Sequence, residues 1–200
     1  MEVATKTPVL LYTEQTPNPE SLKFVTNRML YRVTADFREV ASAQDWSPLA
    51  IALFEMPFVK GVYICNNFVT ISKEFNYEWA EIMLQIKDFI KNYVENDGLI
   101  LKDGFAEYIA SQQSDTEEYT GDNAELVTRI KSLIDTYVKP AVEMDGGNIE
   151  FKSFDKGIVN VILQGSCSGC PSSTVTLKSG IEGMLTRMIP EVKAVEAEMG

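Results

Sequence analysis

The N-terminal half of the chain alternates short β-rich runs with helical patterns. The stretch "PVLLYTEQTPNPESLKFVT" predicts two strands joined by a turn, because each proline fixes its own backbone and disfavours helix in the residue before it. The runs "GVYIC" and "NFVTISK" predict a hairpin that turns at Asn66 and Asn67. "DWSPLAIALFEM" predicts a short helix with Asp45 as its N-cap. This half is therefore expected to be a small α+β unit.

A longer amphipathic helix is expected from Trp79 to Val94, because its apolar residues recur at helical spacing. These residues are Ile82, Ile86, Phe89, Ile90 and Tyr93. They predict one buried face, packed against the β-rich runs.

The C-terminal half repeats the mixture in a different order. "NAELVTRIKSLIDTYVKPAV" predicts a helix capped by Asn123 and perturbed or ended at Pro140. After the turn "MDGGN", the runs "IEFKSF" and "IVNVILQG" alternate as the two strands of a hairpin around "DKG". "SSTVTLKSGIEGMLTRMI" then predicts a helix that stops before Pro190, and "VKAVEAE" predicts a last edge strand.

Between these halves lies "ASQQSDTEEYTGDNA", which is rich in small polar and acidic residues and has no aliphatic side chain larger than alanine. Such a composition is typical of a linker. The predicted fold class is α+β, with two small α+β domains joined by a flexible polar linker. We place the first domain at residues 1–109, the linker at 110–122 and the second domain at 123–200.

Charge and composition exclude several classes of protein. The chain of 200 residues carries 18 Lys and Arg against 29 Asp and Glu, a formal charge of −11, so neither nucleic acid nor an anionic membrane surface is an expected partner. No apolar run approaches the roughly 18 residues of a membrane helix. The N-terminus "MEVATKTPVLLYTEQ" has neither the basic and apolar regions of a secretory signal nor the acid-poor composition of a transit peptide. We therefore expect a cytoplasmic location.

The candidate chemistry lies in "GSCSGCPSS", residues 165–173, which holds Cys167 and Cys170. The chain has 3 cysteines and no histidine, which removes most zinc and general-base chemistry. The order strand, cysteine loop, helix places both thiols at a helix N-terminus, where we expect a lowered cysteine pKa. A dithiol redox couple, half of a tetrahedral metal site and half of an iron-sulfur site all fit a C-x-x-C pair.

Ligand number favours a metal centre shared between two chains. Four thiolates are the usual set for zinc or an iron-sulfur cluster, and only Cys167 and Cys170 lie close together in the sequence. The third cysteine, Cys65, ends the run "GVYIC" and is expected to be a core residue. Two copies of the chain would supply the four ligands.

The motifs "DGG", "G-x-C-x-x-C-P-S-S" and "IPEV" resemble the C-terminal NifU-like domain of Nfu proteins, and "TPNPESLKF" with "VKGVYICNNFVTISKE" resembles their N-terminal domain. The resemblance implies a carrier and not an enzyme. It implies a homodimer that binds one 4Fe-4S cluster through Cys167 and Cys170 of both chains and passes it to apo client proteins. The cluster would come from upstream assembly machinery, and the N-terminal domain would help client recognition or stability.

Other interpretations stay open at this point. A 2Fe-2S cluster also takes four cysteines. The main alternative function is a thioredoxin-like dithiol oxidoreductase acting as a monomer, although the sequence after Cys170 is short for that fold. A structural zinc dimer is a second alternative, and its colourless protein would distinguish it from a brown iron-sulfur protein.

Overall fold

The computed structural model describes residues 8–113, 122–167 and 171–199. It contains one antiparallel sheet and one mixed sheet, each covered by helices, which agrees with the predicted α+β class. The strands are β1 (Leu11–Gln15), β2 (Ser21–Thr26), β3 (Tyr31–Phe37), β4 (Val59–Asn66), β5 (Phe68–Lys73), β6 (Gly147–Asp155), β7 (Ile158–Gly165) and β8 (Ala194–Met199). The helices are α1 (Val40–Ala43), α2 (Pro48–Phe54), α3 (Trp79–Glu95), α4 (Phe105–Gln113), α5 (Asp122–Leu133), α6 (Lys139–Met144) and α7 (Pro171–Met188).

The N-terminal sheet has five strands in the order β1-β2-β5-β4-β3, and every neighbouring pair is antiparallel. The predicted hairpin is confirmed as β4 and β5, and Asn66 takes the left-handed conformation (φ 47°) that asparagine tolerates in tight turns. The edge strand β3 is not among the predicted elements. Its signal is the alternation of Tyr31, Val33, Ala35 and Phe37 with polar residues.

One face of this sheet forms the N-terminal core with α2, α3 and α4. The helix predicted from Trp79 is confirmed as α3, which buries Ile82, Ile86, Ile90 and Val94. Facing it, alternate strand residues such as Phe24, Ile64 and Ile71 are buried in the same cluster. Among the described helices, none combines the length and the apolar character needed to cross a bilayer.

The C-terminal sheet has three strands in the order β6-β7-β8. The predicted hairpin around residues 155–157 is confirmed, with positive φ at Lys156 and Gly157. Strand β8 pairs in parallel with β7, so α7 crosses over the sheet between them. The C-terminal core lies between this sheet and the helices α5, α6 and α7, and it includes Ile130, Ile134, Leu163 and Leu185.

A π-helical turn, Ile134–Val138, joins α5 to α6. Proline has no backbone N–H and its ring crowds the preceding turn, so a wider turn before Pro140 lets the helical path continue. The predicted perturbation at Pro140 is therefore observed, and the chain stays helical up to Met144.

The segment predicted as a linker, residues 110–122, is partly helical, because α4 continues to Gln113 and α5 begins at Asp122. Residues 114–121 lie outside the described residues. The division into residues 1–109, 110–122 and 123–200 stays a prediction.

The second face of the N-terminal sheet is also buried. Antiparallel sheets commonly leave one face to solvent. Here Val25, Tyr63, Cys65 and Phe68 form a separate small cluster on that face, each less than a tenth exposed. Hydrogen bonds from the same face run to the C-terminal domain. The two domains are therefore packed together, with the N-terminal sheet between its own helices and the C-terminal domain.

The N-cap of helix α2 lies two residues later than predicted. The N-cap is Ser47 and not Asp45, because Pro48 occupies the first helical position, where its missing N–H costs nothing. The fully buried Ser47 hydroxyl accepts from Ala50 N–H (3.1 Å) and donates to the Ile100 carbonyl (2.7 Å). One hydroxyl thus connects the start of α2 to the loop after α3.

We expect Ser47→Ala to lower the free energy of unfolding by roughly 1–3 kcal/mol, because it leaves the buried Ala50 amide and the partly buried Ile100 carbonyl without their partner. Chemical denaturation measures this change. Ser42→Ala is the matched control: its hydroxyl also bonds a carbonyl, that of Glu39, but the residue is exposed. Its effect should stay within about 0.5 kcal/mol, and equal losses in the two variants would contradict the role of Ser47.

Candidate functional site

Cys167 lies just beyond the central strand of the C-terminal sheet. Strand β7 ends at Gly165, and α7 begins at Pro171. The strand and the helix predicted on either side of the cysteine segment are thus observed. Residues 168–170, including Cys170, lie outside the described residues, so the structure places Cys167 only. The assignment of both cysteines as ligands stays a prediction.

The Cys167 side chain packs inward and is 6% exposed. It belongs to the C-terminal core cluster. Its sulfur lies directly over Gly147, where a Cβ atom would come within 3.0 Å of Sγ and 2.6 Å of the Gln164 carbonyl. The second glycine of the "DGG" motif is therefore needed to leave room for the thiol and for the neighbouring strand.

Hydrogen bonds hold the backbone on both sides of Cys167. The Thr174 hydroxyl, in the first turns of α7, donates to the Cys167 carbonyl (3.2 Å). The Ser166 hydroxyl donates to the Asp145 carbonyl (2.5 Å), and Ser166 N–H donates to the Gly146 carbonyl (3.3 Å). The cysteine loop is thus attached to α7 at one end and to the "DGG" turn at the other.

Burial raises the pKa of the Cys167 thiol above its ordinary value. The Ser166 hydroxyl opposes this rise, and the Asp145 carboxylate adds to it. The prediction of a lowered pKa is wrong for Cys167. The influence of a helix N-terminus falls off within the first turn, and Cys167 lies four residues before α7 begins, inside the core.

Cys65 is 2% exposed on the sheet face that contacts the C-terminal domain, which confirms it as a core residue. Burial raises the pKa of its thiol as well. Within residues 8–113, 122–167 and 171–199, no group of three or more His, Cys, Asp or Glu side chains is arranged to hold a metal ion.

Two side chains of the N-terminal domain reach the backbone next to Cys167. The Asn18 amide donates to the Ser166 carbonyl (3.2 Å). The Asp36 carboxylate accepts the Gly165 N–H (3.2 Å). Asp36 lies on β3, the strand that sequence reasoning missed, so this contact was missed too. The candidate site is therefore built from both domains.

The Asp36 side chain is 10% exposed and lies 3.7 Å from the Arg38 guanidinium. Burial raises its pKa from 3.8 to about 6, although the bond from Gly165 and the charge of Arg38 favour the ionised form. At neutral pH most of the Asp36 population is charged, at a free-energy cost to the packed state.

Comparison with known proteins agrees with this organisation. The family model "Scaffold protein Nfu/NifU N terminal" matches residues 11–97, and the "NifU-like domain" model matches residues 130–196. Both domain types found in two-domain Nfu proteins are therefore present, in the same order.

Curated relatives match over nearly the whole chain. "NFU1 iron-sulfur cluster scaffold homolog, mitochondrial" of Drosophila willistoni is 42% identical over 98% of this chain and 66% of its own length. The protein of the same name in Drosophila sechellia is 41% identical over 98% of this chain and 67% of its own length. This chain belongs to the Nfu family of iron-sulfur cluster scaffold proteins. It spans about two thirds of the length of these relatives.

A likeness to a solved structure is weaker. A NifU-like protein from Saccharomyces cerevisiae, solved by solution NMR, shares 19% identity with a TM-score of 0.41, covering 50% of this chain and 91% of its own. This likeness is too low to support a conclusion about function.

The expected cytoplasmic location is wrong. The relatives that match nearly the whole chain are named mitochondrial proteins, and they point to the mitochondrion. The expectation depended on the composition of the first residues, which is weaker information than a match over 98% of the chain.

Asp36→Asn should stabilise the protein near neutral pH. A carboxyl whose pKa is raised from 3.8 to about 6 on folding stabilises the folded state below pH 3.8, and this contribution is lost as the pH rises to 6. The loss is up to about 3 kcal/mol. Asparagine avoids it and keeps an oxygen that can accept from Gly165. Urea unfolding at several pH values should show that the free energy of unfolding of the variant rises relative to that of the wild type between about pH 4 and about pH 7.

Asp103→Asn is the control, because Asp103 is exposed. Its free energy of unfolding should stay within about 0.5 kcal/mol of that of the wild type, as is usual for an exposed position. An Asp36→Asn protein that followed the wild type at every pH would show that the Asp36 carboxylate is not buried against Gly165 in solution.

Proposed function

We propose that this chain holds an iron-sulfur cluster and passes it to apo client proteins. The observation that carries the proposal is the position of Cys167, which lies on the β7–α7 connection inside the segment that matches the NifU-like domain. The relatives are named iron-sulfur cluster scaffold proteins. The cluster is cargo in this role, and the chain needs no catalytic group of its own.

The number of thiols supports a cluster shared between two chains. A 4Fe-4S or a 2Fe-2S cluster normally takes four cysteine thiolates. This sequence has 3 cysteines, and Cys65 is buried in the N-terminal sheet. Cys167 and Cys170 of two copies would supply the full set. We therefore propose a homodimer that forms around a 4Fe-4S cluster.

Ligand exchange is a reasonable route for transfer. With only two cysteines from each chain, client thiolates can replace the carrier's thiolates one at a time, and the cluster moves without a change in its oxidation state. Each carrier thiol regains a proton as it leaves, and the buried position of Cys167 favours the protonated thiol. Return of Cys167 to the C-terminal core would then favour release to the client.

The partners are proposed on the same basis. Apo iron-sulfur proteins would accept the cluster, and upstream assembly machinery would supply it. The N-terminal domain would contribute to client recognition or to stability.

The alternative of a dithiol oxidoreductase needs an accessible thiolate of lowered pKa to start exchange. The buried Cys167, with its raised pKa, does not meet that requirement. A zinc dimer would use the same four thiolates, and its lack of colour separates it from an iron-sulfur protein.

Anaerobic reconstitution with iron and sulfide tests the function directly. We expect a brown dimer with about two irons and two sulfides per chain, as one 4Fe-4S cluster shared by two chains requires. Iron, sulfide and molecular mass are measured on one sample. Cys167→Ala and Cys170→Ala should each abolish stable binding of the cluster, because each removes two of the four ligands from the dimer.

Cys65→Ala is the matched control, since it removes a buried cysteine of the other domain. This variant should keep the full iron content. A Cys167→Ala protein that retained a complete cluster would overturn the proposed ligand set. A colourless wild-type monomer with a reversible Cys167–Cys170 disulfide would favour the oxidoreductase.

A further inference from the structure

Four side chains form a straight row across the second face of the N-terminal sheet. Lys23 on β2 pairs with Thr70 on β5, Thr70 pairs with Tyr63 on β4, and Tyr63 pairs with Asp36 on β3. Directly paired residues in antiparallel strands point to the same face. We call these four residues the docking row.

Every member of the docking row makes a hydrogen bond to the backbone of the C-terminal domain. Lys23 Nζ donates to the carbonyls of residues 143 and 144 (3.4 and 3.1 Å). The Thr70 hydroxyl donates to the Gly146 carbonyl (2.8 Å), and the Tyr63 hydroxyl donates to the Gly147 carbonyl (3.3 Å). Asp36 accepts from Gly165 N–H (3.2 Å). The row therefore follows the "DGG" turn and ends at the strand that leads to Cys167.

The backbone facing three members of the row, Thr70, Tyr63 and Asp36, is formed by glycines. A Cβ on Gly146 would lie 2.9 Å from Thr70 Oγ1, and a Cβ on Gly165 would lie 3.0 Å from the Tyr63 ring. Both glycines also have positive φ, 81° and 67°. Two separate constraints therefore coincide at each position.

Because these hydrogen bonds are buried, losing one of them would cost free energy of folding. Thr70 and Tyr63 are each 1% exposed, and an unpaired polar group at such a position costs free energy. Burial also raises the pKa of the Tyr63 phenol, so the hydroxyl remains a donor. Lys23 Nζ forms an ion pair with the Glu14 carboxylate (3.0 Å) and lies 4.4 Å from the centroid of the Phe68 ring. The docking row is thus matched to one partner surface, the backbone of residues 143–147 and 165.

We infer that the N-terminal domain is part of the cysteine site: the docking row binds the backbone at residues 143, 144, 146, 147 and 165, and Asp36 is a positioning residue that holds the strand end preceding Cys167. The importance of that cysteine for clusters rests on the proposed function. The contact itself is independent of any metal. Undocking would remove the bond between Asp36 and the Gly165 amide and loosen the backbone before Cys167, so that Cys167 becomes more accessible.

The test uses the full-length protein without iron. Two variants break the contact in different places: Asp36→Ala, and the double variant Tyr63→Phe with Thr70→Val, which keeps the shapes of both side chains. Hydrogen exchange at the Gly165 amide is followed by NMR, and the alkylation rate of Cys167 by fragment-ion mass spectrometry. We expect both rates to rise by about tenfold or more, as the loss of one or two buried hydrogen bonds predicts.

Three controls separate positioning from general destabilisation. Asp36→Asn keeps an acceptor and should restore slow exchange at Gly165. Ser72 lies on β5 and points to the same face as Thr70, and among the described contacts its hydroxyl bonds only that of Ser21, so Ser72→Ala removes a hydroxyl that takes no part in docking. Tyr93→Phe removes a phenol that donates to the Leu99 carbonyl within the N-terminal domain. Both should leave the two rates unchanged.

Fast Gly165 exchange in the wild-type protein, or unchanged rates in both broken variants, would overturn the inference. If Asp36→Ala fails to fold by circular dichroism, the double variant decides. Iron binding is measured separately. A protein that shows the expected rates but never retains iron would contradict the proposed function and leave the docking contact supported.

Discussion

The structure depends on one constraint: the second face of the N-terminal sheet, which lacks helices of its own domain, must pack against a backbone that carries no side chains at the contact. The glycines at 146 and 165 provide that backbone, and their positive φ values make the same positions unfavourable for other residues. Buried carbonyls and amides there need partners, and the paired side chains of four neighbouring strands supply them. Both faces of the sheet are thereby buried without leaving these polar groups unpaired.

This constraint gives the two glycines of the "DGG" motif different roles. Gly146 allows the turn and the approach of Thr70, whereas Gly147 lies under the sulfur of Cys167. The same short turn therefore serves the domain contact on one side and the thiol on the other. A change in the conformation of the turn would shift the backbone next to Cys167, because Ser166 donates hydrogen bonds to the carbonyls of both Asp145 and Gly146.

Local patterns predicted most of the elements but not the contact between them. The alternation in "IVNVILQG" and the helical spacing after Trp79 each specify a buried face, so β7 and α3 follow from the sequence. Cys167 could be singled out by its spacing from Cys170. Asp36 could not, since a lone aspartate in a strand usually faces water. Nor could the raised pKa of Cys167 be predicted, because it depends on core packing and not on the nearby helix.

The members of the docking row differ in what they contribute to stability. Neutral hydroxyls such as those of Thr70 and Tyr63 can donate to carbonyls at a modest desolvation cost. Asp36 must give up hydration of a charge, and its raised pKa shows that the bond from Gly165 and the proximity of Arg38 do not fully compensate. Near neutral pH, a carboxylate at this position therefore stabilises the domain contact less than a neutral acceptor such as asparagine would, although both can accept the Gly165 N–H. Asp36 therefore contributes more to the geometry of the contact at Gly165 than to its stability.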